Sequence, residues 1–189
     1  MSVLPIRVLG DPILREETTV VAEVTDDVRT LIDDMFETMY AAAGIGLAAP
    51  QVGRSERVAV VDVDGEKYAL VNPEVSASSG RGKTEEGCLS IPDIHGDVER
   101  PTKVTITAID RHGKPFDVTA EGLLARCFQH EIDHLHGRLF IDYLGPFKRR
   151  AAMNKWARER DQYPGNIRIL TPGEIAKNLK DDHPHDEDM

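Results

Sequence analysis

The sequence predicts an α+β fold: antiparallel β-sheets packed around a central helix that carries an H-E-x-x-H motif, with an amphipathic helix near the N-terminus and a further helix near the C-terminus. Three observations predict it. Apolar residues recur at helical spacing before residue 41, short alternating or apolar runs fill residues 57–121, and helical spacing returns from residue 121 onward. The order helix, strands, helix, helix fits segregated helices and antiparallel sheet better than alternating βαβ units.

The first helix is set by Thr25 as N-cap. Val28, Leu31, Ile32, Met35, Phe36, Met39 and Tyr40 then form one apolar stripe, Asp26 and Asp27 lie favourably in the first turn, and Gly44 is the expected stop. Residues 57–63, 67–71 and 103–109 read as strands, with Asp64-Gly65 and His112-Gly113 as turns. Residues 121–136 return to helix with Gly137 as stop, and a last helix follows Pro146 over residues 147–160. We expect one domain over residues 1–160 and a flexible extension over 161–189. Its last nine residues hold five acids, two His and no Lys or Arg.

Composition narrows the function classes. The 189 residues carry 23 Lys+Arg against 33 Asp+Glu, a net charge of −10, which argues against capture of nucleic acid by the whole surface. No apolar run reaches the roughly 18–20 residues that span a bilayer, and the N-terminus lacks the basic-then-apolar layout of a secretory signal, so a cytoplasmic protein without a membrane partner is expected. Two cysteines are too few for a disulfide framework.

His130-Glu131-Ile132-Asp133-His134 is the chemically specific feature. Four helical residues advance about 400°, so the two imidazoles share one face, and Glu131 sits about 100° away, beside a water held on the same ion. Two His leave a metal site incomplete. In the metzincin pattern the third ligand falls on Phe140, which cannot coordinate. Cys127 lies seven residues from His134, about 10 Å of helix rise, and reads as pocket wall or core. Cys88, in Glu86-Gly87-Cys88-Leu89-Ser90-Ile91-Pro92, would complete Cys-His-His with a position left for water; residue by residue it reads equally well as a small buried apolar side chain. Gly87 would allow close backbone approach to a ligand, and Pro92 would end the segment.

Taken together, residues 44–53 (Gly-Ile-Gly-Leu-Ala-Ala-Pro-Gln-Val-Gly), 86–92 and 129–137 (Gln-His-Glu-Ile-Asp-His-Leu-His-Gly) resemble the three signature segments of the peptide deformylase family, in the same order and with similar separations. The resemblance runs from about Val3 to Arg160. It implies hydrolysis of the N-formyl group from N-formylmethionyl nascent peptides, with one divalent ion on Cys88, His130 and His134. Iron(II) is the ion it favours, and zinc, nickel and cobalt are alternatives; ligand types alone suggest zinc. It further implies Glu131 as general base and acid, the Gln51 side-chain amide and the Leu89 backbone N–H as oxyanion donors, and Gly44, Ile45 and Gly46 beside the substrate backbone like an added strand. Ile45, Leu124, Cys127 and His130 are candidates for the methionine pocket. Ala41, Ala42 and Ala43 stand where some relatives carry acids, and His95 lies in a stretch that often supplies a basic side chain in others.

The last helix holds Lys148, Arg149, Arg150, Lys155, Arg158 and Arg160. A solvated basic face is the plain reading; by resemblance it is a ribosome contact. A monomer is expected. Two competing classes are kept: an internal peptidase with Glu159 as third ligand, and a noncatalytic protein stapled by its metal.

Overall fold

In the computed structural model, which describes residues 2–181, helix α1 (Asp26–Ala41) forms where the periodicity places it, and the Thr25 side chain accepts from the Val28 N–H. The stop differs from expectation. Ala43, not Gly44, takes the positive φ of 55°, and the Gly44 N–H donates to the Met39 carbonyl at 2.9 Å. Gly44 is needed for space instead, since a Cβ there would lie 2.7 Å from Leu89 Cδ1.

A five-stranded antiparallel sheet has the order β2 (Gly46–Ala48), β3 (Val58–Val63), β4 (Glu66–Ser79), β7 (Lys103–Ile109), β8 (Pro115–Glu121). Both faces of β3 are covered, which explains its unbroken apolar run. Val58 and Val60 pack with the α1 stripe, whereas Ala59, Val61 and Val63 pack with Leu124, Phe128, Ile132 and Leu135 of α2 (Gly122–Leu135). Asp64 and Gly65 both adopt positive φ, as a two-residue hairpin demands. Strand β4 continues past the Val71 end suggested by its sequence, because Asn72 (φ 50°) and Pro73 are absorbed at a register shift rather than ending the strand.

A separate hairpin pairs β5 (Gly82–Cys88) with β6 (Ile91–Arg100). Pro92 therefore lies inside β6 and does not end the segment; a two-stranded ribbon has free edges on which a missing N–H is tolerated. Helix α3 (Pro146–Glu159) begins at Pro146 as expected.

The chain beyond residue 160 departs from the expected flexible extension. β9 (Ile167–Arg168) pairs antiparallel with β1 (Ile6–Arg7), and α4 (Pro172–Asp181) follows. Leu170 is buried with Ile6, Ala41 and Ala42, Ile175 packs on that cluster, and Asn178 Nδ2 donates to the Ala41 carbonyl at 2.9 Å. Apolar burial thus offsets the entropy of ordering these residues. Residues 182–189 of the acidic end lie outside the described residues. Among the described residues no helix is long and apolar enough to cross a membrane.

Candidate metal centre and active-site cleft

Helix α2 carries His130 and His134 one turn apart, with their Nε2 atoms 3.2 Å from each other. The turn between β5 and β6 brings Cys88 Sγ to 3.3 Å from His134 Nε2. One ligand atom from each of these three residues lies within 4.8 Å of the others, and no other such cluster of three occurs among the described residues. Cys127 is not part of it. Its thiol is buried, donates to the Ile45 carbonyl at 3.5 Å, and is held protonated by burial and by the nearby Glu131 charge. Glu159 is not part of it either, and pairs with Lys155 at 3.9 Å.

Behind His130 lies a buried charge network that the sequence did not reveal. His130 Nδ1 donates to Glu86 Oε1 at 3.0 Å, which leaves its Nε2 free to bind a cation. Glu86 also accepts from Arg100 at 2.7 and 2.9 Å and from Arg126 at 2.6 Å. Arg100 in turn donates to Asp133 at 2.8 Å, and the Tyr143 hydroxyl donates to the same carboxylate oxygen at 2.8 Å. Burial alone would raise the Glu86 pKa, but hydrogen bonds from His130 and Arg100 outweigh it and bring it down to about 2. Burial likewise disfavours a proton on His130, yet the hydrogen bonds to Cys88 and Glu86 overcome it and move the ring upward. The same anionic surroundings favour a metal cation in the proton's place. His134 moves the other way, because burial and the positive charges of His130 and Arg100 all oppose its protonation.

The sign of the Glu86 shift fixes a pH window. With a folded value of about 2 against an ordinary value of 4.5, its stabilisation is complete above about pH 4.5 and is lost as pH falls through 2. The full shift corresponds to about 3 kcal/mol. Urea midpoints are expected to fall between pH 5 and pH 3, and that Glu86-dependent part of the fall should vanish in Glu86→Gln.

Glu131 is 4% exposed, and its Oε2 has no hydrogen-bond partner. Burial pushes its pKa up to about 7, with the His130 charge opposing and the Glu86 charge assisting. Gly46 makes room for it: a Cβ at Gly46 would lie 2.5 Å from Glu131 Oε1 and 2.8 Å from Cys127 Sγ. Gly46→Ala should therefore displace the carboxylate. A loss of turnover of about 100-fold with unaltered circular dichroism is the expected result, since ångström-scale misplacement has effects of that size.

Gln51 is 1% exposed. Its Oε1 accepts from the Ala48 N–H at 2.9 Å, while Nε2 donates to Ser90 Oγ at 3.1 Å and lies 3.6 Å from Cys88 Sγ. Leu89 sits in the turn after β5, against Gly44. Gly87 lines the cleft, and a Cβ there would also meet His95 Cδ2 at 2.7 Å, so the glycine makes room for the His95 ring across the hairpin. Leu124 is also corrected. It is buried in the core between α2 and the sheet, and its neighbour Leu123, 53% exposed, lines the cleft instead.

A cavity of about 1090 Å³ is lined by His130, Glu131, Gln51, Ile45, Leu123 and Arg168 among others. β2 is the edge strand of its sheet and pairs only with β3, so its outer edge is open beside the cleft.

The sequence profile of the polypeptide deformylase family matches residues 3–150. A peptide deformylase of Alkalilimnicola ehrlichii is 51% identical over 159 residues, covering 82% of this chain and 89% of the relative. Among solved structures, a peptide deformylase from Legionella pneumophila is 47% identical with a TM-score of 0.80, covering 86% of this chain and 100% of that one. One from Ehrlichia chaffeensis, in complex with actinonin, is 40% identical with a TM-score of 0.81, covering 84% and 98%. On the extent of these matches, and with a Cys-His-His cluster at its centre, the chain belongs to the peptide deformylase family.

Proposed function

We propose that this protein removes the formyl group from N-formylmethionyl peptides by metal-dependent hydrolysis. The observation that carries the reading is the Cys88, His130 and His134 cluster with Glu131, whose Oε2 has no hydrogen-bond partner, in a cleft beside a free strand edge. One thiol and two imidazoles fit a divalent transition ion, and the His130 tautomer set by Glu86 suits coordination through Nε2. We assign Cys88, His130 and His134 as the residues that would hold it, with iron(II) as the ion in the cell and zinc, nickel or cobalt able to replace it. When bound, the ion supplies Lewis acidity to the formyl oxygen and to a water molecule.

The protein's own groups do the rest. Glu131 accepts a proton from the attacking water and returns it to the departing amine nitrogen as the C–N bond breaks, giving formate and a free N-terminal methionine. A carboxyl pKa near 7 suits both directions of transfer. The Gln51 side-chain amide and the Leu89 N–H donate to the formyl oxygen as its charge grows, and Ala48 and Ser90 fix the Gln51 amide in advance. Gly44, Ile45 and Gly46 pair with the peptide backbone, which accepts many sequences. Ile45, Leu123 and Cys127 cover the methionine side chain. We take residues 1–160 as the catalytic unit, acting as a cytoplasmic monomer. Helix α3 is its proposed ribosome contact, because Phe147 is 89% exposed beside Lys148, Arg149 and Arg150.

Mass spectrometry of a formylated peptide incubated with the metal-loaded protein tests this reading. Loss of the formyl group with every internal bond intact is expected. Internal cleavage with the formyl group retained would favour a peptidase.

A further inference from the structure

Part of the cleft wall is built by the segment after residue 160, beyond the reach of the family profile. Tyr163, Ile167, Arg168, Ile169 and Glu174 all line the cavity there. The wall is firm: Tyr163 stacks on the buried Trp156 at 5.8 Å, β9 pairs with β1, and Leu170 is buried. A cavity of about 1090 Å³ exceeds what a formylmethionyl group fills and leaves room for the following residues of a peptide.

Charge along this wall is specific. Arg126 also lines the cleft but is committed to Glu86 and to the Val98 and Gly82 carbonyls. Arg168, whose side chain is 20% exposed, makes one ion pair among the described residues, with Glu174 at 3.8 Å. That carboxylate is shared: Glu174 Oε2 accepts from the Thr171 N–H and hydroxyl, each at 2.8 Å, and its Oε1 is the atom nearest Arg168. A planar guanidinium with five donors is thus left facing the cleft with one loose ion pair. Exposed Ile45, Leu123 and Ile169 line the same cavity and give the intervening side chains an apolar surface.

We propose that Arg168 forms an anion-reading subsite, which binds a carboxylate carried by the substrate downstream of its formylmethionine. This rests on the deformylase reading. The carboxylate is either an acidic side chain or the terminus of a short peptide. Glu85 and Asp93 line the same cleft and oppose an anion beside them, so the preference is confined to positions that reach Arg168.

The test uses the metal-loaded enzyme and amidated formyl-Met peptides in which one Glu, or Gln as control, is moved from the second to the fifth position. A formyl-Met tripeptide is compared as free acid and amide. We expect the wild type to favour Glu over Gln about two- to fivefold in kcat/KM at one or two positions, through KM. Arg168→Gln should abolish the preference and Glu174→Gln, which keeps the acceptor for Thr171, should enlarge it. Formyl-Met-Ala-amide should be processed equally by all three. A preference for the free acid without any Glu preference identifies the chain terminus as the carboxylate bound. Equal Glu and Gln rates at every position together with equal rates for free acid and amide in the wild type, or a preference unchanged in Arg168→Gln, would overturn the subsite while leaving the deformylase reading intact. Failure of the wild type on every formylated peptide would instead remove the activity on which the subsite rests.

Discussion

Glu131→Ala is expected to lower the rate of formate release by about 10²–10⁴-fold, the range spanned by a positioned general acid–base, while metal stoichiometry stays at the wild-type value. The two readouts separate because Glu131 is not among the three clustered donor residues. Its Oε2 is buried without a partner, a costly arrangement that catalysis accounts for and packing does not. The variant should therefore melt no lower than wild type, and Glu131→Gln, closer in shape, should be equally inactive. A protein whose metal only staples the fold would show no loss of function in either variant.

Cys88→Ala is expected to lose stoichiometric metal. Removing a group that merely orients a ligand weakens metal binding about 10–100-fold, so loss of a donor should exceed that. Metal analysis after dialysis reads the result directly. An internal peptidase built on Glu159 would keep its ion, but Glu159 lies on α3, paired with Lys155, outside the cluster. Retention of the ion in Cys88→Ala would nevertheless displace Cys88 from the site.

Much of this architecture is legible in the residues because its elements obey single periods. The α1 stripe, the Thr25 cap, the β3 and β7 runs and the spacing of His130 and His134 each announce themselves locally. The β5–β6 hairpin does not. Its strands are rich in charged residues, and Glu86 and Arg100 are buried only because they neutralise each other from strands 14 residues apart. Asp133, one of the free positions inside H-E-x-x-H, joins that network through Arg100, a partner 33 residues away. Leu123 and Leu124 show the angular limit of pattern reading. One residue is about 100° on a helix, enough to exchange a cleft-lining side chain for a core one. The β9–α4 segment was missed because it offers only scattered apolar residues, Leu170 and Ile175 among them, and its burial depends on Ile6, Ala41 and Ala42 from the opposite end of the chain.

The central claim is that the Cys88, His130 and His134 cluster hydrolyses the formyl amide. Its most direct test is formate release from formyl-Met-Ala-Ser by protein purified without oxygen and loaded stepwise with iron, nickel, cobalt or zinc. The account predicts a rate that rises in proportion to bound metal up to one ion per chain and vanishes on chelation. Folded protein carrying one ion per chain that releases no formate, or a rate indifferent to metal content, would contradict it.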